Sequence, residues 1–190
     1  PEIIRRNTGY PLDVLANSQP FNSQGPPFNL APFLCGTEGT LAFTLSATLK
    51  LVEIPKSKGL SCIHFSSLEQ AMVATPAILK HQPAAIELMD KRLLALTENH
   101  LAHRRNRQWV EGTSEAVLAV EFFGDSDAKI AQCFKKLTAD LKQQQLGYAY
   151  PVISKGDESK VWAIRKAGLG MLMGVNQQKK PVAVIEDSAV

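Results

Sequence analysis

The stretch "EAVLAVEFFGDSDAKIAQCFKKLTADLKQQQ", residues 115–145, decides the fold class. Its first ten residues form a clear apolar run that ends at Gly124, as a strand does. Its remainder places Ile130, Phe134, Leu137 and Leu141 three and four residues apart. That is the inward stripe of an amphipathic helix over residues 127–145. "GYAYPVIS" (147–154) follows as another strand. Upstream, the same order occurs once before. "GLSCIHF" (59–65) is a strand, and "SSLEQAMVATPAILKH" (66–81) is a helix with Ser67 and Gln70 spaced as a capping box. Pro76 is predicted to kink or split that helix. "PAAIELMD" (83–90) is a strand and runs into a helix, "KRLLALTENHLAH" (91–103). Strand, helix, strand, then strand, helix, strand gives an α+β fold. The sheet is antiparallel and ferredoxin-like, with helices on one face.

Two further elements follow: a helix, "DESKVWAIRKAGLGMLMG" (157–174), that frays into its glycines, and a last strand, "KKPVAVIEDSAV" (179–190). Before the sheet, "LAFTLSATLKLVEIP" (41–55) alternates strictly. Leu41, Phe43, Leu45, Ala47, Leu49 and Leu51 share one parity, while Thr44, Ser46, Thr48 and Lys50 share the other. Period two predicts a long half-buried strand. The first 28 residues are rich in Pro, Asn, Ser and Gly and read as a loop-dominated segment. The chain opens on Pro1, and a strand stands unaccompanied at each end. The expectation is an internal piece of a longer polypeptide: residues 1–55 the end of one domain, residues 56–190 the first part of a second domain truncated at its C-terminus.

The totals are those of a globular protein: 190 residues, 45% hydrophobic, net charge +3. So mild a charge does not ask for nucleic acid or an anionic membrane, and no apolar run is long enough to span a bilayer. Cys35, Cys62 and Cys133 are scattered and odd in number, which argues for free, mostly buried thiols in a reducing cytosol.

Several side chains invite a chemical reading. The loop "GTEGTL" (36–41) has glycines that permit positive φ and close backbone approach to a ligand. On composition alone it is first a tight turn leading into a strand. Arg165 stands one step from the apolar side formed by Val161, Ile164 and Gly168, where a guanidinium could grip a carboxylate through two N–H groups or simply line a helix rim. His100 and His103 have i, i+3 spacing but no third ligand nearby, which favours a solvated helix end. "HRRNR" (103–107) reads as a solvated loop because no aromatic interleaves it. Glu186 and Asp187 end the last strand, facing either a site or a turn. His64 reads as a half-buried strand residue rather than a base.

Two motifs together carry a resemblance. "RRNTGYPLDVL" (5–15) followed by "FLCGTEGTLAFTLSATLKL" (33–51) resembles the end of the flavin-binding domain of the FAD-linked oxidases related to vanillyl-alcohol oxidase. "VLAVEF", "VWAIRKAGLG" and "KKPVAVIEDSAV" resemble the substrate-side cap domain of the subgroup that contains glycolate oxidase, D-lactate dehydrogenase and D-2-hydroxyglutarate dehydrogenase. The look is strongest to large bacterial members with a C-terminal iron–sulfur region. The "GTEGTL" loop has Thr37 where the family has Ser, and the spacer between the two N-terminal motifs is longer than in many relatives.

The resemblance implies an FAD-dependent oxidoreductase acting on a 2-hydroxy acid such as D-lactate, glycolate or 2-hydroxyglutarate, with electrons leaving to an acceptor other than nicotinamide. It implies FAD contacts from Asn7, Thr8, Gly9, Gly36, Thr37, Glu38, Gly39 and Thr40, with glycine N–H groups and threonine hydroxyls as donors. Glu38 would pair inside the protein or with a ribose hydroxyl, since a carboxylate repels the pyrophosphate. It implies that Arg165 binds the substrate carboxylate. The family's His-x-Gly-Asp-Gly-Asn-x-His segment and main pyrophosphate loop are not among these residues. No catalytic residue and no metal ligand is therefore assigned here, and the 190 residues alone are expected to be inactive. An iron–sulfur cluster and a divalent metal are options for the rest of such a polypeptide, which would also be the chain's partner. The expected place is the cytoplasm, with peripheral attachment at the inner membrane left open. The competing reading is a non-catalytic ferredoxin-like module that binds a small molecule or another chain.

Overall fold

The computed structural model describes residues 10–98 and 100–175. They divide into two compact units at Val52–Glu53. The first unit holds two short helices, α1 (Leu12–Ala16) and α2 (Ala31–Leu34). The segment predicted as a long strand is not one. Residues 42–55 have no regular structure, and Phe43, Leu45, Leu49 and Leu51 are all exposed. Alternation describes a side-chain surface that suits a pleat, but a strand exists only when a neighbour supplies the ladder. Among the described residues no strand pairs with this segment.

The second unit holds the sheet. Strand β1 (Ser57–Phe65) is followed by α3 (Leu68–Leu79), β2 (Ala85–Asp90) and α4 (Lys91–Glu98). After a 3₁₀ turn at Arg104–Asn106 come β3 (Ala116–Gly124), α5 (Asp127–Gln143) and α6 (Glu158–Met173). The strand order is β1-β3-β2, antiparallel throughout, with Ser57 opposite Gly124, Phe65 opposite Ala116 and Asp90 also opposite Ala116. The predicted fourth strand lies along the free edge of β1, held by two single bridges, Ser61 with Val152 and His64 with Ala149. Tyr148 N–H donates to the His64 carbonyl (2.9 Å), and Ile153 N–H donates to the Leu60 carbonyl (2.8 Å). Pro151 stands between the bridges with no N–H to give, which accounts for the broken ladder. The spatial order is thus fourth, first, third, second, the ferredoxin-like arrangement.

Helices α3 and α5 cover one face. Ser67 caps α3 by accepting from the Gln70 N–H (3.1 Å), while the Gln70 side chain takes the Ser66 hydroxyl. Pro76 does not split α3: it is exposed and lies three residues from the end of the helix, which runs unbroken through it. The predicted stripe of α5 is buried in full, and Phe134 meets Phe122 edge to face at 5.2 Å. Helices α4 and α6 cover the opposite face, over Leu60, Cys62, Met89, Val117 and Ala119. Both parities of β3 are therefore buried, as a strand between two layers requires. Helix α6 does not fray at its glycines. Gly168 faces α4, and a Cβ there would stand 3.2 Å from Leu93 Cδ2, so the glycine sets how closely the two helices approach.

Candidate functional site

The opening loop of the first unit folds on itself. Thr37 is buried, and its N–H (3.2 Å) and hydroxyl (2.9 Å) both donate to the Leu34 carbonyl at the end of α2. Thr40 repeats the pattern on the Thr37 carbonyl, at 2.9 Å and 2.5 Å. Tyr10 then donates its hydroxyl to Thr40 Oγ1 (2.8 Å), because that oxygen's proton is already used. Both threonine hydroxyls thus donate inside the turn. Between them the backbone runs through two left-handed residues, Glu38 (φ 49°) and Gly39 (φ 75°), and a Cβ on Gly39 would meet open space. What the loop presents outward is backbone at Gly39, and the residue is glycine because the turn requires positive φ there. Asn7, Thr8 and Gly9 lie outside the described residues, as do Glu186, Asp187 and the predicted last strand.

Arg165 stands where its spacing predicts, on α6 beside the buried line of Val161, Ile164 and Gly168. Its Nε donates to Glu87 Oε2 of β2 at 2.7 Å, and both side chains are partly exposed. Glu87 shares the parity of Met89, so it points to the α4/α6 face. The sequence marks Glu87 as a carboxylate on the inward parity of its strand, which calls for a cation, but it does not say which one. An ion pair through Nε leaves the Nη1/Nη2 edge of the guanidinium pointing elsewhere, and that edge can grip a second carboxylate.

Two grooves open on the same face. One, of about 560 Å³, is lined by Leu96, His100, His103, Ala167 and Met171, among others. The two imidazole rings are 4.7 Å apart, and His103 Nδ1 is buried without a partner among the described residues. Among those residues no three of His, Cys, Asp and Glu converge as a metal would need. The second groove, of about 680 Å³, lies at the other end of the sheet between Lys56, Lys58, Glu121, Phe123, Lys155 and Glu158. Burial raises the Glu121 carboxyl above its ordinary range, Lys58 partly offsets this, and Glu158 adds to it. Lys155 is turned away to Asp127 at 2.5 Å, and Asp127 also takes the Ser57 hydroxyl. No sequence reading marked this cluster, since its members come from β1, β3 and the start of α6.

His64 differs from expectation in degree: it is fully buried, not half-buried. Its ring nitrogens are both used, by the Cys62 carbonyl and the Glu111 N–H. Of the cysteines, Cys62 is buried, Cys133 half-buried and Cys35 exposed, all free. No helix among the described residues is long and apolar enough to cross a membrane.

Comparison with known proteins bears on the whole chain. D-2-hydroxyglutarate dehydrogenase of Pseudomonas putida is 29% identical over 200 residues, which cover 100% of this chain and 19% of that protein. The enzyme of the same name from Haemophilus influenzae is 30% identical with the same coverage. D-lactate dehydrogenase of Archaeoglobus fulgidus is 33% identical over 116 residues, 58% of this chain and 25% of that protein. The chain thus spans 19% of the length of the two D-2-hydroxyglutarate dehydrogenases. Residues 54–190 match the profile described as FAD linked oxidases, C-terminal domain, and the chain belongs to that family.

Proposed function

We propose that these residues are part of an FAD-dependent dehydrogenase that oxidises a 2-hydroxy acid, D-2-hydroxyglutarate or D-lactate foremost. The observation that carries this reading is the family match over residues 54–190, joined to relatives whose names are those of 2-hydroxy-acid dehydrogenases. In this reading residues 1–55 close a flavin-binding domain and residues 56–190 begin the substrate-side cap. The exposed alternation of residues 41–51 would find its ladder in a sheet supplied by the rest of the enzyme.

Arg165 would bind the substrate carboxylate through its Nη edge while Glu87 holds Nε. The Glu87 contact fixes the guanidinium plane before substrate arrives, so little side-chain freedom is lost on binding. For FAD, the residues present fit a limited part. The Gly39 turn offers backbone at an open, positive-φ position that lets a ligand approach closely. The hydroxyls of Thr37 and Thr40 serve the turn itself, so the loop would hold the cofactor with N–H groups. Asn7, Thr8 and Gly9 would add contacts to the cofactor, as would Gly36 and Glu38 of the Gly39 turn. FAD, when bound, supplies the two-electron acceptor, and the protein orients the substrate. The proton acceptor, any divalent metal and any iron–sulfur cluster would come from residues beyond these, as would the site for a non-nicotinamide electron acceptor. Such an enzyme would work in the cytoplasm.

The test is anaerobic flavin reduction in the full-length protein. D-2-hydroxyglutarate, D-lactate and glycolate are compared with 1,2-propanediol, which keeps the secondary alcohol and lacks the carboxylate. Reduction by at least one acid and not by the diol is expected. Reduction by none of the acids would reject the reading. The non-catalytic alternative would be left standing only if the full-length protein also held no flavin.

A further inference from the structure

We propose that His64 is an acid-released latch that holds the 107–115 loop against β1. His64 Nδ1 lies 2.9 Å from the Cys62 carbonyl oxygen, which can only accept, so Nδ1 carries the proton. Nε2 lies 3.1 Å from the backbone nitrogen of Glu111, whose N–H can only donate, so Nε2 carries a lone pair. The two contacts fix one neutral tautomer. The ring is completely buried, with Trp109 and Tyr148 at centroid distances of 6.2 and 6.0 Å.

The same loop residue is fastened a second time. The Glu111 carbonyl accepts the Tyr148 hydroxyl at 2.8 Å, and the Ser114 hydroxyl lies 2.6 Å from the Tyr148 oxygen. Both backbone groups of Glu111 therefore end on side chains of β1 and of the segment beside it. The loop also carries Trp109, which packs in the cluster with Val161 and Ile164 of α6. Closing the loop orders that indole over the face.

An imidazolium has a proton on each nitrogen. Protonated Nε2 would point a donor at the Glu111 N–H, so the latch bond is lost and a buried cation remains. The groups facing the ring are the Cys62 thiol on its own strand, the Glu111 carboxylate from the loop and the Tyr148 hydroxyl. Val117 across on β3 and Met89 beyond it on β2 bring no charge. Burial holds the imidazole below its ordinary value of 6.5, the Cys62 carbonyl, the Glu111 carboxylate and the Ala149 carbonyl pull the other way, and burial pushes the Cys62 thiol up. The open loop, with a solvated histidine, takes a proton first as pH falls through about 6.5. The latch is thus fully set above that pH and is lost progressively below it.

The experiment is amide exchange and imidazole ¹⁵N NMR on the 190-residue chain between pH 8 and pH 5. The Nδ1–H tautomer is expected above pH 7. On acidification, exchange at Glu111, corrected for the intrinsic rate, should quicken at least tenfold while Leu118 and Val120 of β3 stay protected. Glu111→Gln removes the charge that favours the imidazolium in the closed loop, so it should leave the onset near pH 6.5 and enlarge the quickening below it, and His64→Gln should remove the pH dependence. If His64→Gln does not fold, the wild-type exchange decides. The proposal fails if His64 titrates with Glu111 protection unchanged. It fails equally if His64 stays neutral and the loop closed down to pH 5, or if β3 opens together with the loop.

Discussion

The two faces of the sheet are built to different rules. Under α3 and α5 lie Ile63, Phe65, Leu118 and Val120, packed against Phe134 and Leu141 of α5, and the one polar side chain of β1 buried at mid-strand there, Ser61, is tied to the Pro151 carbonyl at 3.0 Å. Under α4 and α6 the apolar cluster is smaller, and it is bordered by ionisable groups: His64 at one end, Glu87 with Arg165 at the flank, and Glu121 with Glu158 at the other end. Among the described residues the buried ionisable side chains His64 and Glu158 both belong to this second side. Burying charge costs stability unless it is partnered. The α3/α5 side has an ion pair of its own, His81 with Asp140 at 2.9 Å, but that pair is partly exposed, and this side holds the larger apolar cluster.

The largest effect that would break this comparison is on the α3/α5 side. Phe134→Ala removes a side chain that is 4% exposed and its edge contact with Phe122, and should cost about 3–5 kcal/mol. An unchanged urea midpoint would mean that this face does not carry the fold. The smallest effect lies on the other side. Glu87→Gln breaks a partly exposed ion pair and should change unfolding free energy by about 0–1 kcal/mol. A loss as large as that of Phe134→Ala would show that both faces are structural.

The difference between the faces also explains what the sequence could tell. The α5 stripe was legible because one helix burying one side leaves a 3.6-residue rhythm that needs no knowledge of its neighbour. The second helical layer was missed: helices were expected on one face, yet in β3 Val117 and Ala119 are as apolar as Leu118 and Val120, as a strand covered on both faces requires. Residues 41–55 misled because alternation shows which side chains could be buried, not whether a neighbouring strand is there. The glycines of α6 misled because propensity sees a flexible residue, whereas Gly168 is there for its contact with Leu93. Arg165 could be picked out locally, but Glu87 lies 78 residues away along the chain, and only the fold joins them. The Lys58, Glu121 and Glu158 groove was illegible for the same reason.

The central claim is that Arg165 serves a substrate carboxylate and not the fold. Its most direct test pairs two readouts on Arg165→Ala and Arg165→Lys in the full-length protein: kcat/KM with the best 2-hydroxy acid, and the urea midpoint. Truncating one partner of a charge-assisted pair should cost about 2–5 kcal/mol in kcat/KM, with partial recovery in the lysine variant because an ammonium cannot make the two-pronged contact. Flavin content and urea midpoint should stay at wild-type values. Near-normal kcat/KM in Arg165→Ala, or a loss of activity that only follows a loss of stability, would contradict the account and return Arg165 to the role of an ion-paired residue on the rim of a helix.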